Sequence, residues 1–286
     1  MTDRLTSTSN GTHAHGDWMA EGRGLLASAE ETRALWERRR SAFSAELKAA
    51  GRFDSRRHAE LYTQVYALPR AAMLLLGQAA EMFAKAGLTR AYAQCPGALF
   101  DRDLKTFGHD LPKLAREIAF PARGADPANL TQLHRMVLVD ARYPLAPAAR
   151  PEWAAQANAR TDAIWPEAQW AALRDLVARL QAHAGRIDHD PACPASIRRH
   201  DLADGGYVVF RTGGHLPDRI TFRMEAAQRQ PGKASPAAIA ALLARLDPAD
   251  GGPPFDRAAF RARARLIEDG LNDRGQARTW RHPPAR

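Results

Sequence analysis

Between Arg102 and His109 the chain reads Arg-Asp-Leu-Lys-Thr-Phe-Gly-His, which sets a guanidinium, a carboxylate and an imidazole in one short stretch. A neutral imidazole at His109 can accept a proton from an attacking hydroxyl, and the Arg102 guanidinium can stabilise charge that builds on phosphate oxygens. Asp103 would orient the two. The chemistry such a pair could do is proton transfer beside a phosphate, and no cofactor is expected. On one continuous helix this separation spans almost two turns and brings both side chains to one face. Gly108 and the Asp110-Leu111-Pro112 start signal point instead to a new helix beginning after His109. In that arrangement His109 and Asp110 form a capping turn, with the imidazole packed or bonded to a backbone carbonyl and Arg102 solvated.

Other constellations are weaker. His183, Asp188, His189, Asp190, Cys193 and His200 carry donors that suit zinc, yet His-x3-Cys-x6-His matches no established spacing and falls in a proline-rich connector, so no metal site is assigned. Gly213-Gly214-His215 can cradle an anion with backbone amides or simply turn the chain. His13 and His15 fall in a polar N-terminal stretch where solvent exposure is expected. Phosphate-loop, GxGxxG, HExxH and GxSxG motifs are all missing, which withdraws the usual sequence support for nucleotide hydrolysis, Rossmann redox chemistry, zinc proteolysis and serine hydrolysis. Cys95 and Cys193 are far apart and read as free thiols of a reducing cytoplasm.

The elements that must position these residues are read from composition and periodicity. The chain has 286 residues, 45% hydrophobic and only 7% aromatic, which favours a mainly α fold over a sandwich. Residues 1–28 are expected to be a disordered tail. Leu35, Trp36, Phe43 and Leu47 mark an amphipathic helix over 29–50, and Gly51 ends it. A helix over 55–87 is expected to kink or split at Pro69; beyond it Ala72, Leu75, Leu76, Ala79, Met82, Phe83 and Ala86 form one apolar face. Glu81 and Lys85 stand four apart on that helix in the favourable order. A loop follows over 88–109, with a short helix near 99–105. Asp110 then caps a helix with Pro112 in its first turn and Leu111, Leu114 and Ile118 on its buried side. Further helices are expected from Leu130 to about Tyr143, over 153–164, and from Pro166 through His183.

The text changes after residue 200. Residues 206–212 and 219–225 are β-rich and form a hairpin that must pack on helices, since a lone hairpin is marginal. Two more helices are expected at 236–246 and 255–270. The division expected is a bundle over 29–183, a small α+β region over 200–270 containing the 206–225 hairpin, and a basic tail over 271–286. The longest apolar runs are too short to cross a bilayer. All but one of the net +9 charges lie in residues 61–150 and 251–286, +4 each, which invites a nucleic-acid or phosphate partner but is also what a GC-rich coding sequence yields through Ala and Arg.

The text AAMLLLGQAAEMFAKAG at 71–87, KTFGHDLPKL at 105–114 and ARYPL at 141–145 together resemble bacterial members of the HEPN superfamily, the higher eukaryote and prokaryote nucleotide-binding domains. The likeness covers roughly residues 30–180 and implies an antiparallel bundle of four or five helices that dimerises. Many such relatives are metal-independent ribonucleases or toxins; others are non-catalytic binding modules. The nuclease members carry Arg-x(4–6)-His, which Arg102 and His109 satisfy with six residues between. The resemblance implies catalytic roles for Arg102, Asp103 and His109, and RNA-binding roles for Lys105, Asp110, Arg142 and Tyr143. His109 would take the proton of an RNA 2′-hydroxyl as it attacks the adjacent phosphate. The partners implied are RNA or a nucleotide, a second copy of the chain and an antitoxin-like protein. The competing reading is a dimeric scaffold with no chemistry, and Arg142-Tyr143-Pro144 is equally a helix stop.

Overall fold

A computed structural model describes residues 4–50, 55–143, 149–202, 205–224, 260, 263–271 and 277–282. The protein is mostly helical, with a small sheet toward its C-terminus. The helices are α1 (His15–Ala50), α2 (Ser55–Ala91), α3 (Gly97–Phe107), α4 (Leu111–Glu117), α5 (Asp126–Arg135), α6 (Arg150–Ile164) and α7 (Glu167–Arg186). One π-helical turn, Met136–Asp140, prolongs α5. The strands are β1 (Ser196–Asp201), β2 (Tyr207–Thr212), β3 (Arg219–Arg223), β4 (Arg265–Leu271) and β5 (Ala277–His282).

These elements divide into two units, and neither is continuous in sequence. The helical unit takes His15–Leu88 and His109–Gly185; the sheet unit takes the described residues of Met1–Ala14, Thr89–Gly108 and Arg186–Arg286. The expected order, a bundle over 29–183 followed by an α+β region over 200–270, is therefore replaced by an interleaved one. Residues 89–108, with Arg102, Asp103 and Lys105, belong to the sheet unit.

In the helical unit the apolar face read on α2 is the core. Ala72, Leu76, Ala79, Phe83 and Ala86 are buried, as are Leu114 of α4, Leu133 of α5 and Leu173, Leu176, Val177 and Leu180 of α7. Pro69 does not split α2. A proline denies an intrahelical donor to the carbonyl four residues earlier, here Val65, and the Trp36 indole N–H of α1 supplies one at 2.8 Å. The helix survives because a distant side chain makes good the lost bond. Arg33, also on α1 and buried, donates to the carbonyls of Ile164 and Trp165 and so closes the C-terminus of α6.

Helix α1 overturns the expectation of a disordered tail over 1–28. It begins at His15, and Gly22 lies so close to α2 that a β-carbon there would stand 2.6 Å from Phe83 Cε1. At Gly22 the missing side chain serves packing and not disorder. Upstream, Leu5 is buried and exchanges backbone hydrogen bonds with Gln94 and Cys95. His13 pairs with Asp101 at 2.8 Å and packs edge-on against Phe100.

The sheet has strand order β1-β2-β3-β4-β5, antiparallel except for the parallel β3–β4 pair. The expected hairpin is present as β2 and β3, with Val208 opposite Phe222 and Phe210 opposite Ile220. Val208, Ile220, Phe222 and Met224 pack with Phe260 and Ala264. Strand β4 stands where a helix over 255–270 was expected, and β5 lies within the expected basic tail. Arg-Leu-Ile-Glu-Asp is compatible with either period, and pairing on both edges selects the strand. The helix expected at 236–246 lies outside the described residues.

Candidate functional site

His109 sits at a junction that its neighbours define. Helix α3 ends at Phe107, and Gly108 follows at φ 54°, a backbone conformation that glycine adopts without penalty. Asp110 caps α4 by accepting from the Lys113 amide at 3.0 Å. The His109 carbonyl accepts from His134 Nδ1 on α5 at 2.8 Å, which fixes the loop from the other side. The capping turn read from sequence is thus present, but the imidazole is not bonded to a backbone carbonyl. Its Nδ1 lies 2.9 and 3.0 Å from the two carboxylate oxygens of Glu81 on α2.

Glu81 is buried, and Lys85 Nζ donates to it at 2.5 Å from one turn further along α2. The ammonium balances the carboxylate where an unpaired charge would be costly. A carboxylate that accepts from Nδ1–H selects the tautomer with basic Nε2 and stabilises the imidazolium formed when Nε2 takes a proton. Glu81 therefore has the orienting role that the sequence reading gave to Asp103.

His109 and Glu81 line a pocket of about 440 Å³ within the helical unit. Leu25 of α1, Leu74 and Met82 of α2 and Val137 of the π-helical turn form its apolar wall; Glu21, Gln78 and Arg142 add polar groups. Leu74, Gln78 and Met82 succeed one another at helical spacing on α2, and Glu21 and Leu25 do so on α1. Gly77 lets α2 approach the α5 segment, since a β-carbon there would stand 2.7 Å from Val137 Cγ2 and 2.9 Å from the Leu133 carbonyl. Arg142 follows the π-helical turn, an irregularity frequent at functional sites. Its segment is held by Arg70 of α2, which donates to the carbonyls of Ala141 and Tyr143.

The residues proposed from sequence separate into two groups. His109 and Arg142 share the pocket, and Asp110 supports it as a helix cap. Tyr143, half exposed, lies beside Arg142, whose guanidinium is 5.3 Å from the ring centroid. Arg102, Asp103 and Lys105 are on α3 in the sheet unit. Arg102 is only partly exposed and its partner is not His109: it donates to Asp269 of β4, a buried carboxylate that also accepts from Arg223 and from Tyr207 Oη at 2.9 Å. Asp103 is buried and accepts from the Tyr92 hydroxyl, so it does not orient the pair. Lys105 is exposed. Burial pushes the Tyr207 hydroxyl far above its usual range, which keeps it a donor, and pushes the Cys95 thiol up to about 11, which keeps it un-ionised.

The weighed metal donors are dispersed. His183, in the helical unit, is bonded to the Ile118 carbonyl at 2.8 Å. In the sheet unit His189 faces Arg90, His200 packs on Phe210, and Asp190 pairs with His215 at 2.7 Å. Among the described residues no cluster of three His, Cys, Asp or Glu side chains is arranged to hold a metal ion. Gly213, Gly214 and His215 take φ of 72, 62 and 62°, and the Gly214 amide donates to the Cys193 carbonyl, so this segment is a turn between β2 and β3. No helix among the described residues is long and apolar enough to cross a membrane.

Glu81 had a visible signal as a charged residue inside an otherwise apolar helix face. Glu21 had none, because its surroundings read as a tail. Comparison with known proteins gives no matching family model, no matching curated protein and no matching solved structure.

Proposed function

We propose that this chain is a HEPN-like RNA-binding protein that cleaves RNA without a metal, with His109 as the proton-transferring group and Arg142 as the cation on the phosphate. The observation that carries this reading is the bond from His109 Nδ1 to buried Glu81, on the wall of a pocket that also presents Arg142. In the reaction His109 Nε2 takes the proton of a 2′-hydroxyl, and O2′ attacks the adjacent phosphorus while the bond to the 5′-oxygen breaks. Arg142 stabilises the non-bridging oxygens, and Glu81 stabilises the imidazolium until it passes its proton to solvent. The products are a 2′,3′-cyclic phosphate and a 5′-hydroxyl, the latter protonated by solvent. The apolar wall suits a nucleobase, and the pocket is of small-ligand size.

The test is single-turnover cleavage of a labelled single-stranded RNA in the presence of EDTA. His109→Ala should slow cleavage by about 100-fold or more, and a 2′-deoxy nucleotide at the cut should block it. Cleavage by the His109→Ala protein at the unaltered rate rules the mechanism out. RNA binding with no cleavage by any form leaves a non-catalytic binding module.

A further inference from the structure

The segment after the π-helical turn gathers more positive charge than it neutralises. Arg70 of α2 and Arg160 of α6 both donate to the Tyr143 carbonyl, at 3.0 and 3.3 Å, and Arg142 is the residue before Tyr143 in the chain. A carbonyl accepts hydrogen bonds but cancels no charge. Among the described residues none of the three guanidiniums is ion-paired, and the one nearby carboxylate, Asp140, is paired with Arg135. Residues 141–151 contain no Asp or Glu at all. Arg70 Nε is buried without a partner. Burial first, and then the charge of Arg70, pull the Arg160 guanidinium below its usual range, with Asp140 opposing them only in part. Next to this cluster stands the Tyr143 ring, half exposed and flanked by Arg142.

We propose that Arg70, Arg142 and Arg160 with Tyr143 form a second subsite, which takes one phosphate of a single-stranded nucleic acid and stacks the adjoining base on the Tyr143 ring. Surplus guanidinium charge beside an exposed aromatic face is the chemistry that binds single strands without reading sequence. The inference rests on the proposed pocket through Arg142, which the two sites share. It goes beyond it in assigning Arg70 and Arg160 to the substrate and in giving the strand a footprint of at least two nucleotides.

The experiment measures binding of a fluorescein-labelled RNA dodecamer by anisotropy across a salt series, using the full chain with His109→Ala so that the strand stays intact. Arg70→Gln and Arg160→Gln retain a donor for the Tyr143 carbonyl; each should weaken binding and reduce the slope of log Kd against log salt by about 0.7, one phosphate contact on a single strand. Arg160→Lys should keep the slope. Tyr143→Ala should weaken binding about ten-fold, and Tyr143→Trp should restore it. Unchanged affinity and slope in both Gln variants overturn the subsite, as does a polyglutamate peptide that binds as tightly and ignores Tyr143→Ala, which would mark an acidic protein partner. If the Gln and Ala variants behave as expected while His109 proves irrelevant to cleavage, the pocket mechanism falls and the subsite stands. Loss of cleavage through His109 with unchanged Gln variants gives the reverse.

Discussion

Glu81 is bonded to an ammonium and to an imidazole, with different consequences. Lys85 is almost as buried as the carboxylate, whereas the His109 side chain is about half exposed. The lysine therefore sets what the carboxylate costs, and the histidine what it does. Lys85→Met keeps the length of the side chain and removes the charge; it should destabilise the protein by about 3 kcal/mol, because the buried carboxylate loses the ammonium that balances it and keeps only the His109 bond. Adding Glu81→Met should recover most of that loss, since an apolar pair can replace a buried ion pair at little cost. Urea denaturation of the two variants measures both, and a neutral single substitution would show that water reaches Glu81. The i, i+4 pair was legible on the helix face. The imidazole that completes it was not, since its partner is 28 residues away and the local text explained His109 as part of a cap.

At the scale of elements, α5 must be held if His134 and the π-helical turn are to support the pocket. Its first residue, Asp126, accepts from the Arg123 amide at 2.8 Å and from both terminal nitrogens of Arg179 on α7, at 2.8 and 2.6 Å. These bonds, the Arg179 guanidinium foremost, hold the Asp126 carboxyl below the usual value of 3.8. A carboxylate depressed in the folded state stabilises it above the unfolded pKa, and the contribution disappears as pH falls through the folded one. Asp126→Asn should therefore cost roughly 1.5–3 kcal/mol near neutral pH, and the gap to wild type should close as pH falls below about 3.8. Thermal or urea unfolding from pH 7 to 3 tests this; a gap independent of pH would assign the effect to shape and not to charge. The extent of α2 shows where reading elements from sequence stops. Pro69 is a correct local signal for a break, and only the Trp36 indole, on another helix, cancels it.

At the scale of the whole molecule, the interleaving of two units decides which of two arginines lines the pocket with His109. Sequence proximity favoured Arg102, which stands seven residues from His109; chain order gave no sign that the unit boundary falls between Gly108 and His109. The helical character, the apolar face of α2 and the β2–β3 hairpin were legible because each rests on local periodicity. The discontinuous units, β4 and the start of α1 were not, because each is set by contacts distant in sequence. Arg102 and Arg142 now make opposite predictions. Arg102 joins α3 to β4 through Asp269, so Arg102→Ala should lower the denaturant midpoint, by up to a few kcal/mol of stability given its partial exposure, and leave the cleavage rate of folded protein within about two-fold. Arg142 is exposed and unpaired among the described residues, so Arg142→Ala should leave the midpoint nearly unchanged and slow cleavage by about 100-fold, the usual scale for one transition-state donor. Both quantities come from the same two preparations. A rate that falls with Arg102 and not with Arg142 would return the catalytic cation to the position that linear spacing first suggested.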